Sequence, residues 1–504
     1  MHLRRVMADT TTVSSSTGLV RQLGLLGLTA TGICSMLGAS INVVPFMIQR
    51  NVPGIGPYVL PAFLLAAVPA VLAAFAYSLL ASAMPRAGGS YLYASRGLHP
   101  YLGFVASFSQ WFGLSIVIGV IAYVVVPFFR DIALGVGWSE LAASLEVGWV
   151  RISLAVLLLW TFVLVNIRGA KSYERTLIPL MFLMFGLGAI VIVSGFWFSP
   201  TDFSAGLQEV GKAVPSQKEA TFQWSTFLAA AALLFSSFIG FDSIAQAGGE
   251  AKNPNRNLPL AIALAITVVG CFYFVFTLSV YRIVPWQFVA QEAMQQDISA
   301  PGLLRYVLPA GLAVAIVAGA AIALINDLPA MLLSVSRLMF AWAEDGIFPK
   351  RITVVHPVWR TPHVALLLSG GMATVGILGS HFAGDFFLGI DIMVTSMMVN
   401  FLLMCLTLIT ITSVNPAIAN DIRIAKNRKV QLALGWSGTI VLIGFLIIHI
   451  RKDLLSAVEA WYYHSTYIWL IVMLLASVFF FIRWSNLKRN NVDLHQQFLN
   501  LPPE

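Results

Sequence analysis

Charged side chains are scarce in this sequence: Asp, Glu, Lys and Arg make up 10% of its 504 residues. A soluble domain carries about 25% charged residues, because its surface must be solvated. Hydrophobic residues reach 58%, and the apolar segments follow one another without a polar block large enough for a soluble domain. The composition therefore excludes an ordinary soluble protein and predicts one integral membrane domain.

Cysteine is also rare. Cys34, Cys271 and Cys405 all fall inside apolar segments, so we expect free thiols that pack as small hydrophobic groups, and no disulfide framework. The net charge of +8 does not indicate a nucleic-acid partner, since basic residues of membrane proteins concentrate in cytosolic loops.

Several catalytic motifs are missing. The sequence has no phosphate-binding Gly-Lys-Ser/Thr loop, no nucleophile elbow and no HExxH motif, and its eight histidines are scattered. We therefore predict no ATPase, no enzyme activity, no cofactor and no metal.

Long apolar stretches recur along the whole chain. A helix needs about 20 apolar residues to cross the hydrocarbon core, and helices keep their backbone groups paired there. We therefore expect an all-α fold of about twelve transmembrane helices, of which the eighth continues beyond the membrane or includes an interfacial turn. The predicted spans are 23–48, 57–81, 101–129, 148–166, 176–198, 223–247, 258–283, 306–342, 363–381, 386–412, 431–450 and 464–484.

The distribution of Lys and Arg predicts the orientation. Most of them fall in segments that are cytosolic when both termini are inside, as the positive-inside rule requires; Arg451 and Lys452 are exceptions. The N-terminal residues lack the pattern of a secretory signal. The predicted organisation is a cytosolic tail (1–22), a transporter core of helices 1–10 (23–412), helices 11–12 (413–484) and a cytosolic C-terminal tail (485–504).

Two spans contain small and polar residues at mid-membrane depth. The first reads TGICSMLGASINVVP (31–45), and the sixth reads LLFSSFIGFDSIAQAGGE (233–250). Small residues in either helix alone are equally typical of close helix packing. Their matched placement, together with Asp242, favours two broken helices in a transporter built from inverted repeats.

Four segments at helix junctions resemble motifs of one family. The chain resembles the amino acid–polyamine–organocation superfamily, especially its cationic amino acid transporter branch, over about residues 20–412. The motifs are MPRAGGSYLYASRGLHPYLGF (84–104), NIRGAKSYER (166–175), FIGFDSIAQAGGEAKNPNRNLP (238–259) and SRLMFAWAEDGIFP (336–349) followed by RTP (360–362).

The resemblance implies a leucine-transporter-like fold of 5+5 inverted repeats, with broken helices 1 and 6 and alternating access around a midplane site. It implies that backbone amides of helix 1 hold a substrate carboxylate, as favoured at a half-helix N-terminus. Carbonyls at both breaks would hold the amino group. The implied substrate site comprises Met36, Gly38, Ala39, Ser40, Ser236, Ile239 and Gly240.

The sequence departs from the family pattern at two of these positions, Ser40 and Ser236, and at Asn42 and Met184. Ser40 replaces a glycine and narrows the pocket, Asn42 takes an aromatic position, and Ser236 replaces a gating aromatic residue. Met184 aligns with a helix 5 lysine that proton-coupled relatives use in place of sodium. Whether these departures change specificity is open.

Three carboxylates are predicted inside spans, where an ionised group costs at least a few kcal/mol. Asp242 is expected to act in coupling or gating, or else to cap amides of the broken helix. Asp327 is expected to bind a proton or sodium near helix 1. Asp391 is either buried or solvated near the outer end of helix 10.

Side-chain selectivity is expected from helices 3, 8 and 10, although their polar residues serve equally well in helix–helix hydrogen bonds. A loop containing Glu250 is either solvated or part of an inner gate with Arg86, or with Glu344 and Asp345. The selectivity candidates are Ser109, Gln110, Gly113, Met331 and Ser396.

The sequence therefore predicts a secondary transporter of amino acids in a plasma membrane, of bacterial inner-membrane type. Its partners would be an amino acid or amine, the lipid bilayer, and either a coupling ion (a proton or sodium) or a counter-substrate. A polyamine or amine permease and a transporter-like sensor without turnover remain alternatives. The oligomeric state is not predicted.

Overall fold

The computed structural model describes residues 19–215, 220–383 and 387–502. These residues form helices joined by turns and short loops, with no extended strand among them. Eleven helices in the described ranges are long and apolar enough to cross a membrane, and the first span is divided into shorter pieces. The predicted all-α membrane fold is thus confirmed. Most of the expected N-terminal tail lies outside the described residues.

Two of the twelve spans are interrupted. In α1, Leu25–Met36 (α1a) is separated from Val44–Asn51 (α1b) by one turn, Ala39–Asn42. In α6, Trp224–Leu234 (α6a) passes through a 3-10 turn into Ser243–Gln246 (α6b). The remaining spans are α2 Val59–Ala83, α3 Pro100–Gly135, α4 Gly148–Ile167, α5 Ala170–Trp197, α7 Pro254–Ile283, α8 Ala310–Glu344, α9 His363–Ala383, α10 Phe387–Val414, α11 Arg428–Leu455 and α12 Ser465–Arg489.

Shorter helices connect the spans. Several begin with proline in the first turn, where the missing N–H is not needed. The shorter helices between spans are Gly89–Gly97, Ser139–Glu146, Pro200–Glu209, Trp286–Gln295, Ala300–Leu304 and Pro416–Asn420. One more, Leu494–Leu499, follows the last span.

The eighth span is one continuous helix. It starts after Pro309 and runs for 35 residues to Glu344. At about 1.5 Å per residue, this length exceeds the roughly 30 Å hydrocarbon core. Of the two arrangements predicted for this span, α8 therefore has the one in which the helix continues beyond the membrane. It packs against α1, α3 and α5 at the centre of the bundle.

Large apolar side chains remain exposed on the outer helices, as expected for contact with lipid rather than water. Phe182 and Phe196 of α5 and Ile440 of α11 are examples. The three cysteines are free thiols, and Cys271 lies on the exposed side of α7. The central helices, in contrast, bury most of their polar side chains. The candidate site lies among these buried polar groups.

Candidate functional site

The two breaks meet in the middle of the bundle. Gly240, with φ of +138°, lies against the α1a end, and a Cβ atom at this position would overlap the Ser35 carbonyl. Such a backbone conformation favours glycine. Ser35 Oγ also donates a hydrogen bond to Ser243 Oγ at 3.1 Å. Close approach of the breaks therefore depends on Gly240.

The last carbonyl of α1a is capped from α7. Tyr273 donates its hydroxyl hydrogen bond to the Met36 carbonyl, and the Tyr273 ring packs on Phe63 and Phe238. A carbonyl oxygen has two lone pairs, so the Met36 carbonyl retains capacity for a second donor.

The carboxylate of Asp327 lies directly against the α1 break. A Cβ atom on Gly38 would overlap this carboxylate, so close contact requires glycine at position 38. Asp327 is 2% exposed. The preceding residue ties the helices together, because Asn326 Nδ2 donates to Cys34 Sγ at 3.0 Å and to the Leu177 carbonyl at 3.4 Å. The Asp327 carboxylate thus occupies the break where the sequence predicts a substrate carboxylate.

A closed cavity of about 30 Å³ adjoins Asp327. Ser236, Ile239 and Met331, three predicted site residues, line it; Met331 lies one helical turn after Asp327 on the same face of α8. Ser236 Oγ is buried and has no hydrogen-bond partner within the described part of the chain. The remaining lining residues are Ser35, Val43, Val44, Val117, Val120, Ile121, Val124, Ile390 and Met393.

Asp242 belongs to a separate buried polar network. It accepts hydrogen bonds from the Gly240 N–H at 3.1 Å and from Gln110 Nε2. The Gln110 Oε1 atom accepts from Gln246 at 3.2 Å and from Asn400 at 3.3 Å. The network joins α3, α6 and α10. A buried polar network fixes one arrangement of its helices when its members are hydrogen-bonded to one another. Gln110 therefore contacts Asp242 rather than lining the cavity.

Two other predicted selectivity residues, Ser109 and Gly113, lie on the side of α3 that contacts α10. Ser109 Oγ donates to the Ser396 carbonyl at 3.1 Å and accepts from Trp469 Nε1 at 2.7 Å. Gly113 packs against the Ser396 side chain. These contacts join α3 to α10 and α12, and neither Ser109 nor Gly113 lines the cavity at Asp327.

Ala39, Ser40 and Asn42 belong to the helical turn within α1. Asn42 and Met184 line a second small cavity of about 20 Å³, between α1, α5, α7 and α8. Asp391 lies near the start of α10, where its side chain is 18% exposed and its Oδ2 lies 3.9 Å from Lys452 Nζ. Lys452, an exception to the charge rule, thus faces a carboxylate.

Two buried ion pairs lie at the face of the bundle that carries residues 19–23 and 494–502. We call this the terminal face. Arg337 Nη2 lies 2.7 Å from Glu250 Oε1, and Arg96 Nη1 lies 2.5 Å from Asp345 Oδ2. Burial alone would lower the pKa of Arg96, but the charge and hydrogen bonds of Asp345 outweigh it and raise this pKa above its usual value. Arg96 therefore keeps its charge although it is buried, and the two pairs lie together at this face.

Backbone contacts add to the closure. The N–H groups of Gln22 and Leu23 donate to the Glu250 carbonyl at 2.8 and 2.9 Å, and the Lys252 N–H donates to the Leu23 carbonyl at 2.9 Å. The segment before α1 is thereby attached to the loop after α6, next to the Arg337 pair.

The C-terminal residues cover the second pair. Arg96 Nε donates to the Asn500 carbonyl at 3.3 Å, and its guanidinium lies 4.8 Å from the Phe498 ring centre. Gln497 Nε2 donates to the Asp345 carbonyl at 3.0 Å. The residues 494–502 therefore lie over the Arg96–Asp345 pair.

The apolar wall of the cavity was not identified from the sequence. Val117, Ile121 and Val124 recur at helical spacing on α3, but the same spacing occurs on faces that contact lipid. The partners Arg337 and Arg96 were also not identified, because nothing local to Glu250 or Asp345 indicates which distant arginine approaches them.

The geometry defines a class: a polytopic membrane protein in which two interrupted spans surround a closed central cavity. The comparisons specify it further. A family model described as "Amino acid permease" matches residues 23–492, and the chain belongs to this family. The resemblance to the amino acid–polyamine–organocation superfamily is thereby confirmed.

Curated relatives include three differently named transporters. The methylthioribose transporter of Bacillus subtilis (strain 168) is 27% identical over 73% of this chain and 76% of its own length. Cationic amino acid transporter 4 of Mus musculus is 30% identical over 71% of this chain and 55% of its own length. The branched-chain amino acid permease BcaP of B. subtilis is 25% identical over 73% and 76%.

Proposed function

We propose that this protein is a secondary active transporter that moves amino acids or related amino-bearing molecules by alternating access. The observation that carries the proposal is the meeting of the two broken spans at a closed cavity lined by Asp327 and Ser236. Interrupted helices at membrane depth occur where irregular backbone lines a binding cavity. Membership of the permease family and the names of two of the three relatives support the same substrate class.

The closed cavity defines the movement required. A volume of about 30 Å³ holds about one water molecule, so a whole substrate binds only when the surrounding helices separate. The ion pairs of Arg337 and Arg96 close the terminal face. We infer that these pairs separate when the site opens to that face, and that the breaks of α1 and α6 act as the hinges.

Asp242 is our candidate for coupling. It lies next to the α6 break and is hydrogen-bonded to the Gly240 N–H, so a change in its protonation acts directly on the hinge. A proton gradient or substrate exchange would supply the energy. We assign the terminal face to the cytosol of a bacterial-type plasma membrane, on the basis of its basic residues.

Reconstitution into proteoliposomes tests the proposal. The purified chain is first screened for thermal stabilisation by amino acids, by their decarboxylated amines and by methylthioribose, because a ligand that binds only the folded state raises the unfolding temperature. Each stabilising compound is then offered to proteoliposomes, with an imposed proton gradient or preloaded with the same compound. Uptake above that of empty liposomes supports transport. Stabilisation without uptake or exchange in either condition would identify a sensor instead.

A further inference from the structure

We propose that Asp327 supplies, from within the protein, the carboxylate of the central site, so that the substrate is a monoamine with an apolar body and no carboxylate of its own. This inference rests on the proposed function and narrows its substrate class. It depends on three features of the described residues: where the carboxylate lies, what lines the cavity, and which charges are present.

The first feature is the position of the carboxylate. Asp327 contacts Gly38 so closely that any side chain at position 38 would overlap it. A substrate carboxylate placed at the same break would meet an acidic group already there. Two carboxylates sharing one buried site repel each other when both are ionised. An α-amino acid is therefore disfavoured at this position, and a cation is favoured.

The second feature is an unfilled hydrogen-bonding position. Ser236 Oγ, 2% exposed, lines the same cavity and lacks a hydrogen-bond partner within the described ranges. Other buried hydroxyls in the described ranges also lack a partner; Ser236 differs from them because it lines the cavity beside Asp327, where the other lining hydroxyl, Ser35, is bonded to Ser243. An ammonium group has three donors and no acceptor, so a single ammonium can donate to the Ser236 hydroxyl and at the same time lie against the Asp327 carboxylate as a counter-ion.

The third feature is the charge and polarity of the wall. Among the described lining residues, Asp327 is the one ionisable group, and Lys, Arg and His are absent. One carboxylate neutralises one ammonium, so a diamine or polyamine would bring a second cation without a counter-ion. The valines of α1 and α3, with Ile390 and Met393 of α10, offer an apolar surface to the rest of the molecule. This combination fits an alkyl or arylalkyl monoamine.

Matched ligand pairs test the inference on the wild-type protein. Leucine is compared with isoamylamine, phenylalanine with phenethylamine, and putrescine serves as the diamine. We expect each monoamine to stabilise the purified full chain against heating at concentrations at least about tenfold below those of its amino acid and of putrescine, the factor typical of one hydrogen bond to a charged group.

Three variants locate the effect. Asp327→Asn should weaken monoamine binding by about tenfold or more and reduce the preference over the amino acid, while Ser236→Ala should weaken it by a smaller factor. Asp391→Asn, a change of the same kind at a residue of α10 that does not line the cavity, should leave the affinities unchanged. If Asp327→Asn does not fold, the inference is judged from the wild-type protein alone, by comparing its stabilisation by each monoamine with that by the matching amino acid.

The outcomes separate the two proposals. Preference of the wild type for amino acids, or full monoamine affinity in Asp327→Asn, would overturn this inference and leave the transporter proposal intact. Binding of methylthioribose alone would overturn this inference and also the amino-bearing substrate class of the proposed function, while its uptake would still identify a transporter. Stabilisation by monoamines without uptake or exchange would uphold the site but overturn transport. No response to any compound would overturn both.

Discussion

Arg96 and Asp345 face each other as a two-pronged ion pair, with N–O distances of 2.5 and 2.8 Å, although they are 249 residues apart. Arg96 belongs to the short helix before α3, and Asp345 follows the end of α8. Their side chains are 1% and 4% exposed. This pair therefore fixes the terminal-face end of α8 to the start of α3.

Asp345→Asn should destabilise the protein strongly, because it leaves the Arg96 guanidinium buried without its counter-ion. Removing one partner of a buried pair costs about 3–5 kcal/mol. Reversible denaturation in detergent measures the loss. Glu146→Gln is the control, since Glu146 forms an exposed pair with Arg130 at 3.2 Å and such pairs contribute about 1 kcal/mol or less. Equal effects of the two changes would contradict the structural role of the buried pair.

Glu250→Gln should open the terminal face more often, because it removes the charge that holds Arg337. In a variant lacking the three native cysteines, Ser35→Cys places a single thiol at the central cavity. We expect Glu250→Gln to raise the rate at which a membrane-impermeant thiol reagent, applied from the terminal face, labels this position. Lys252→Gln, which changes an exposed charge in the same loop, should leave the rate unchanged; a rise in both variants would indicate general loosening.

Gly240→Ala should abolish transport or folding. The added Cβ atom would overlap the Ser35 carbonyl, and the φ of +138° is strained for any side chain. Gly186→Ala is the matched control, because a Cβ on Gly186 in α5 meets no atom within 4 Å, and alanine is favoured over glycine in a helix by roughly 1 kcal/mol. Uptake and thermal stability measured on both variants check the prediction. Wild-type uptake by Gly240→Ala would show that the breaks need not approach each other.

Asp242→Asn should abolish proton-driven accumulation of substrate and leave substrate exchange in place. Asparagine has one acceptor oxygen, which can still accept from the Gly240 N–H. Its amide nitrogen then replaces the oxygen that faces Gln110 Nε2, so the Gln110 amide must turn to pair with it. The asparagine cannot take up a proton. We therefore expect substrate exchange between preloaded proteoliposomes and medium to persist, while accumulation driven by a proton gradient is lost. Unchanged accumulation in Asp242→Asn would exclude this residue as the coupling group.

The spans were predictable because the hydrocarbon core demands long apolar runs, and these are read directly from the sequence. The interruptions near Gly38 and Gly240 were also predictable from the sequence, because small residues and an acidic residue break the apolar runs there. The position of Asp327 relative to Gly38 depends on the rotation of α8 about its axis. Helical spacing alone does not determine that rotation, and it does not distinguish a cavity wall such as Val117 and Val124 from a lipid-facing surface.

The segment 494–502 covers one of the two ion pairs that we propose to separate when the terminal face opens. Phe498 and Asn500 contact Arg96, while Gln497 contacts Asp345, so any movement that separates this pair must also displace these residues. A purification tag or fluorescent protein fused after them would be attached to a moving element. A small dye at this position would instead report each opening of the terminal face as a change in its emission, without any modification of the substrate.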